Sequence, residues 1–170
     1  MVRIEHGALL ALLTSCAPMA ACSRTLDDAP PIVWTALRQA DAKALLVEVG
    51  AAIKTEKQTD EKGWRIVAEI PDGLPVIWTG MQCEGQGADQ ACTEYEIEIP
   101  LKAASDKVAK AIAAERNVLF LADAGIDGDY LIWRMGFTYG GVTRAYLKNV
   151  LSVTINMGWD SAKVVEARKR

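Results

Sequence analysis

A strictly alternating stretch in the middle of the chain constrains the fold more than any other feature. Residues 93–99 read Thr-Glu-Tyr-Glu-Ile-Glu-Ile. Successive side chains of a β-strand point to opposite faces of a sheet, so a strand separates the apolar members from the acidic ones. The members expected to face a core are Tyr95, Ile97 and Ile99. The members expected on a solvated face are Glu94, Glu96 and Glu98. This pattern predicts an antiparallel sheet with one wet face.

Other β-rich runs surround this strand and are divided by turn residues. Three precede it: "AAIKTE", "WRIVAEI" and "PVIWTGM". Their spacing predicts an antiparallel meander. Two later runs, "NVLFLADA" and "YLIWRMGFTY", flank "GIDGD", in which Asp127-Gly128 is a strong hairpin signal.

Helical spacing of apolar residues predicts three helices. The first covers residues 32–50, with a break near Asp41, and the second runs from a capping Ser105 to about Arg116. The third carries a broad apolar stripe from Val142 to Met157. The resulting order, α-β-β-β-β-α-β-β-α, predicts an α+β fold whose helices pack on one face of an antiparallel sheet.

The first 22 residues are typical of an export signal. Arg3 precedes a short apolar run and then small residues, and the run is too short to span a bilayer. "LTSC", ending at Cys16, resembles a bacterial lipobox, and "MAAC", ending at Cys22, is a less regular version. Lipidation at either cysteine and ordinary cleavage therefore both stay open. A disordered or frayed N-terminal helix on a cytosolic protein is the alternative, favoured by Glu5 opposing Arg3.

The domain organisation follows from this interpretation. We expect a signal in residues 1–22, a polar linker in 23–31, one α+β domain in 32–165 and a basic tail in 166–170. The mature protein would be periplasmic or secreted, or membrane-anchored through a lipid alone. The chain has 170 residues and a net charge of −3 without a basic face, which argues against nucleic-acid binding.

The residue inventory limits the chemistry of the domain. The only histidine is His6, inside the expected signal, so Ser-His-Asp, Cys-His and histidine-based zinc sites are excluded from the mature domain. Glu94, Glu96 and Glu98 could form an acid–base or cation-binding cluster, but the alternation explains them more simply. The calcium-like group Asp123, Asp127 and Asp129 lacks the loop pattern and its final Glu. We therefore predict no catalytic residue, no metal and no cofactor.

Cys83 and Cys92 flank a Gly-containing acidic loop. In an oxidising envelope the simplest interpretation is a disulfide across a hairpin, and loop closure suggests roughly 2 to 3 kcal/mol of stabilisation. A metal site would need two further ligands, and a redox role is disfavoured by spacing far from Cys-x-x-Cys. In a cytosolic protein the pair would be reduced thiols.

Several segments together resemble the YbjN family. They are "LLVEVG", "GWRIVAEI", "DGLPVIWTGMQC", "CTEYEIEI" and "RNVLFLADAGIDGDYLIWRMGFTYGGVT". The resemblance implies a fold similar to that of type III secretion chaperones, in a non-catalytic binding or regulatory protein described as a sensory-transduction regulator. It carries over no catalytic residue.

The leading functional hypothesis is an exported, non-catalytic module that binds a protein or peptide partner, with a homodimer also open. The alternative is an envelope sensor that binds a small ligand between the last helix and the sheet, in a pocket lined by Trp133 and Tyr146. The five tryptophans are predicted to be mostly core, and any exposed together would mark a binding patch. The sequence does not identify the binding residues.

Overall fold

The computed structural model describes residues 32–59, 63–103, 105–116, 121–124 and 129–167. The predicted export signal, with Cys16 and Cys22, lies outside these residues. The linker in 23–31 and the hairpin turn at Asp127-Gly128 lie outside them too, and so does most of the predicted basic tail.

The described residues form three helices and nine strands. The helices are α1 (Gln39–Glu48), α2 (Asp106–Arg116) and α3 (Arg144–Ala167). The longer strands are β3 (Ala52–Gln58), β4 (Trp64–Ile70), β5 (Leu74–Glu84), β6 (Ala91–Lys102), β7 (Leu121–Ala124) and β8 (Asp129–Phe137). The two-residue strands are β1 (Val33–Trp34), β2 (Leu37–Arg38) and β9 (Val142–Thr143).

The longer strands form one curled antiparallel sheet in the order β3-β4-β5-β6-β8-β7. The first three make the predicted meander, β6 extends it, and β8 then pairs along β6. The short β2 also pairs with β6, while β1 and β9 pair with each other. The α+β class and the order of the longer elements are confirmed.

The predicted first helix begins too early. Residues 32–38 are not helical: Val33 and Trp34 pair with Thr143 and Val142, and helix α1 begins only at Gln39. Val142, predicted to lie on the last helix, is therefore in β9. The prediction from local spacing was wrong here because β-branched and aromatic residues are stabilised more by pairing with a strand over a hundred residues away than by a helix. The last helix also extends to Ala167, into the predicted tail.

One hydrophobic core lies between the three helices and one face of the sheet. The core residues from the sheet include Trp64, Trp78, Tyr95, Ile97, Ile99 and Ile132. Those from the helices include Leu45, Leu46, Ile112, Leu147 and Leu151. Tyr95, Ile97 and Ile99 are at most 1% exposed, which confirms the direction assigned to the apolar half of the alternation.

Two local features define where α2 begins and how closely α3 packs on the sheet. The amide of Val108 donates to Ser105 Oγ at 3.4 Å, which confirms the predicted N-terminal cap of α2. On α3, Gly158 lets the helix approach closely, because a Cβ there would lie 2.7 Å from Ile99 Cγ2. Packing of all three helices on one side leaves the opposite side of the sheet without a covering element among the described residues.

Candidate functional site

The side of the sheet opposite the helices is called here the outer face. Directly paired residues of antiparallel strands point to the same side, so the register identifies its members. At its centre Thr79 on β5 pairs with Glu96 on β6, and Glu96 pairs with Met135 on β8. These positions alternate with core residues on every strand, so the outer face is continuous across β5, β6 and β8.

An apolar strip runs along β8 on the outer face. The strip consists of Trp133, Met135, Phe137 and, just beyond the strand, Tyr139. Met135, Phe137 and Tyr139 are 41%, 51% and 59% exposed, and Trp133 is half-buried. The rings of Phe137 and Tyr139 stack with centroids 5.5 Å apart. A row of large apolar side chains exposed to water is typical of an interaction site.

A row of three carboxylates lies beside the strip on β6. Glu94, Glu96 and Glu98 pair with Phe137, Met135 and Trp133, respectively. They occupy the predicted face but are half-buried rather than fully solvated. The difference arises because large side chains on β8 and the long side chain of Arg65 flank them.

The outer two carboxylates have partners within the protein. Arg65 Nη2 donates to Glu98 Oε2 at 2.7 Å, and the Tyr139 hydroxyl donates to the Glu94 carboxylate. That hydrogen bond raises the pKa of Tyr139. Because Arg65 starts on β4 and Glu98 lies on β6, the arginine side chain crosses β5, about 10 Å in all.

The central carboxylate, Glu96, lacks a cation of its own. None of the ion pairs among the described residues includes it. Burial raises the pKa of Glu96, and the neighbouring charge of Glu98 adds to this, with Arg65 opposing it. The centre of the row therefore carries a carboxylate whose charge is poorly compensated.

The residue paired with Glu96 on β5 also has a polar group without a hydrogen-bond partner. Thr79 is only 9% exposed, and its Oγ1 has no hydrogen-bond partner in the described structure. Buried hydroxyls normally find a partner, and one without costs the fold about 1 to 3 kcal/mol. Two neighbouring groups on the outer face, a hydroxyl and a carboxylate, therefore lack the partners their chemistry calls for.

The two cysteines lie at one end of the β5–β6 pair. Cys83 and Cys92 are directly opposed in the register, at disulfide distance, with their Cα atoms 3.8 Å apart. Cys92 is fully buried and Cys83 partly exposed. Within the described ranges there is no group of three or more His, Cys, Asp or Glu residues that could hold a metal ion. The pair thus has the position of a hairpin staple.

A cleft of about 510 Å³ lies at the same end of the sheet, between the end of β3 and the β5–β6 connection. The residues that line it include Gln58, Thr59 and Gln86. Trp133 and Tyr146, proposed above to share a ligand pocket, lie on opposite sides of the sheet. Trp133 is on the outer face, and Tyr146 is on α3, where it is 48% exposed. The structure therefore does not bring these two together.

One edge of the sheet differs from its outer face. Strand β3 forms one edge and is almost entirely exposed, with Lys54 and Lys57 along it. Lysines on an edge strand discourage the addition of another strand. The outer face, and not this edge, is therefore the better interaction surface.

The sequence analysis did not predict this site, although the sequence contains part of the pattern that forms it. The run "YLIWRMGFTY" places Trp133, Met135, Phe137 and Tyr139 two residues apart, which is the spacing of one strand face. Thr79 and Arg65 had no such signal, since their roles depend on which strands become neighbours.

No protein-family model, no curated protein and no solved structure matches this chain. In the described part of the chain, no helix combines the length and the apolar character needed to cross a bilayer.

Proposed function

We propose that this protein is an exported, non-catalytic module that binds a protein or peptide partner on its outer face. The observation that carries the proposal is the strip of Trp133, Met135, Phe137 and Tyr139 on a sheet face that no described helix covers. Aromatic and methionine side chains are enriched where proteins bind one another. An adjacent acidic row adds a means of selecting the partner by charge.

The mode of binding follows from the contrast between face and edge. Addition of a strand to β3 would place a peptide beside Lys54 and Lys57. Binding across β6 and β8 instead buries apolar side chains that are already held in place by the sheet. Such preorganisation lowers the entropic cost of association. The partner is therefore expected to lie across the outer face.

Two further points support an exported, non-catalytic role. The domain downstream of the expected signal has no histidine, and the opposed cysteines suit an oxidising compartment. The resemblance to the YbjN family is consistent with the same role, in a binding or regulatory protein without an active site.

Site-specific photo-crosslinking in the native host tests this proposal. A photoreactive phenylalanine analogue is placed at position 135 on the outer face, and a matched copy carries it at Val47, an exposed apolar position on α1. We expect discrete crosslinked products from position 135 in the envelope fraction, fewer from position 47, and loss of the former in Phe137→Ser. Circular dichroism of each variant controls for folding.

Two results would contradict the proposal. Crosslinking of equal strength from both positions would show that the outer face is not distinguished from the rest of the surface. Recovery of the protein only in the cytosol, with reduced cysteines, would refute export. Mass spectrometry of the products also shows whether the partner is a second copy of this chain.

A further inference from the structure

We propose that Thr79 and Glu96 together recognise an arginine side chain on an extended segment of the partner, an inference that rests on the function proposed above. The two residues are directly paired between β5 and β6 and lie at the centre of the outer face. A guanidinium placed there would complete the hydrogen bonds of both. The Thr79 hydroxyl would accept one N–H, and the Glu96 carboxylate would accept a bidentate pair.

The Thr79 hydroxyl points to a ligand independently of any charge. It is 91% buried, its Oγ1 has no partner, and it lies on the outer face beside Glu96 and not in the core. Of the buried threonines, Thr138 and Thr154 satisfy their hydroxyls with backbone carbonyls. Thr79 is thus the exception among these three, and it is the one that faces the proposed site.

Charge complementarity sets the sign of the ligand. Three carboxylates line β6, and the ion pairs of the described residues supply this row with one cation, Arg65, which is held by Glu98. Glu94 is occupied by the Tyr139 hydroxyl. Glu96 is left as the acceptor for a cation from outside, and pairing would offset the cost of its burial. Because Arg65 is paired directly with Thr79 and crosses β5 to Glu98, its side chain must move aside for the ligand to reach the Thr79 hydroxyl.

The apolar strip favours arginine over lysine. Met135 lies directly opposite Glu96, and Trp133 and Phe137 are its diagonal neighbours on β8. Diagonal pairs are within reach of aromatic and long side chains. A guanidinium is planar, stacks on aromatic rings and loses less hydration than an ammonium group when partly buried. The exposure of Met135 and Phe137 leaves this side open for approach.

Nuclear magnetic resonance titration of the folded domain tests the inference with small probes. N-acetyl-arginine amide is compared with N-acetyl-citrulline amide, which has nearly the same shape without the charge. We expect saturable shifts of the Thr79 and Glu96 amide resonances with the arginine probe alone. Glu96→Gln should weaken binding roughly tenfold or more, because it removes a charge-assisted pair.

Control variants separate recognition from folding. Glu69→Gln removes a carboxylate from β4 that is paired with Lys54, and it should leave binding of the arginine probe unchanged. Thr79→Val keeps the shape of the side chain, and it should weaken binding while the fold is retained. It therefore provides a second test if Glu96→Gln fails to fold.

Each outcome decides between the possibilities. Equal shifts from both probes, no saturable shift, or unchanged binding by Glu96→Gln would overturn arginine recognition. If crosslinking from position 135 still succeeded, the binding function would stand without it. Arginine-specific binding in the absence of any crosslinked partner would support the recognition site and contradict the proposed function. A second copy of the chain crosslinked on the outer face would overturn recognition of a separate segment.

Discussion

Replacing Thr79 with valine should stabilise the protein, although it removes a polar group from a folded domain. Valine has nearly the shape of threonine without its hydroxyl. The Thr79 hydroxyl is buried, with no partner for Oγ1. A buried hydroxyl without a partner costs about 1 to 3 kcal/mol. We therefore expect Thr79→Val to raise the free energy of unfolding by about 1 kcal/mol, after allowance for imperfect repacking.

The same substitution at Thr138 supplies a matched control of opposite sign. Thr138 is 0% exposed, and its hydroxyl donates to the Thr35 carbonyl oxygen at 2.9 Å, with the Thr93 carbonyl oxygen at 3.2 Å. Thr138→Val deletes this donor and leaves the carbonyl groups without it. We expect a loss of about 1 to 2 kcal/mol. The two variants should thus differ by about 2 to 3 kcal/mol.

Urea denaturation followed by circular dichroism measures this difference directly. The slope of the unfolding free energy with urea should be the same in both variants, so that the midpoints report stability. In thermal unfolding the pair should be separated by several degrees. If Thr79→Val destabilised the protein as Thr138→Val does, the Thr79 hydroxyl would be hydrogen-bonded after all, and the main structural argument for the arginine site would fail.

Three further predictions concern the cysteines and two titrating groups. If Cys83 and Cys92 form a disulfide, its reduction should lower the free energy of unfolding by about 2.7 kcal/mol, because the residues are separated by 9 positions. Calorimetry with and without reductant should then show the melting temperature fall by roughly 5 to 10 °C. An unchanged melting temperature would contradict the disulfide. Burial raises the pKa of Tyr95 to about 12, whereas an unfolded tyrosine titrates near 10. Stability should therefore be unaffected by this group below about pH 10 and fall as the pH rises towards 12, and urea unfolding of Tyr95→Phe over that range should lack this component of the decline. Because burial raises the pKa of Glu96, its neutral form is favoured by folding, and stability is lost as the pH rises through that pKa. Glu96→Gln should thus be more stable than the parent at pH 7, with the gain shrinking as acid protonates the glutamate; a loss of stability at pH 7 would refute this.

Much of the fold could be predicted from local sequence pattern. The period of two in residues 93–99 predicted which side chains of β6 enter the core, because a strand allows only two directions for a side chain. The Ser105 cap and the order of the longer elements were predicted for similar reasons, since each depends on residues close together in the chain. The predictions that were wrong concern segments whose structure is set by residues distant in the chain. Residues 32–38 have helical spacing, but residues 33–34 pair with β9 and residues 37–38 pair with β6.

Some features of the candidate site likewise follow from the sequence, and others depend on contacts between distant residues. The sequence by itself determined that β8 carries large apolar side chains on one side and that β6 carries glutamates on one side, because alternation is a local property. Only the tertiary structure decided that Arg65 reaches Glu98 across β5 and that Thr79 is buried beside Glu96 without a partner. Those facts depend on register between strands that meet only after folding, and no local spacing specifies which residues a strand will oppose.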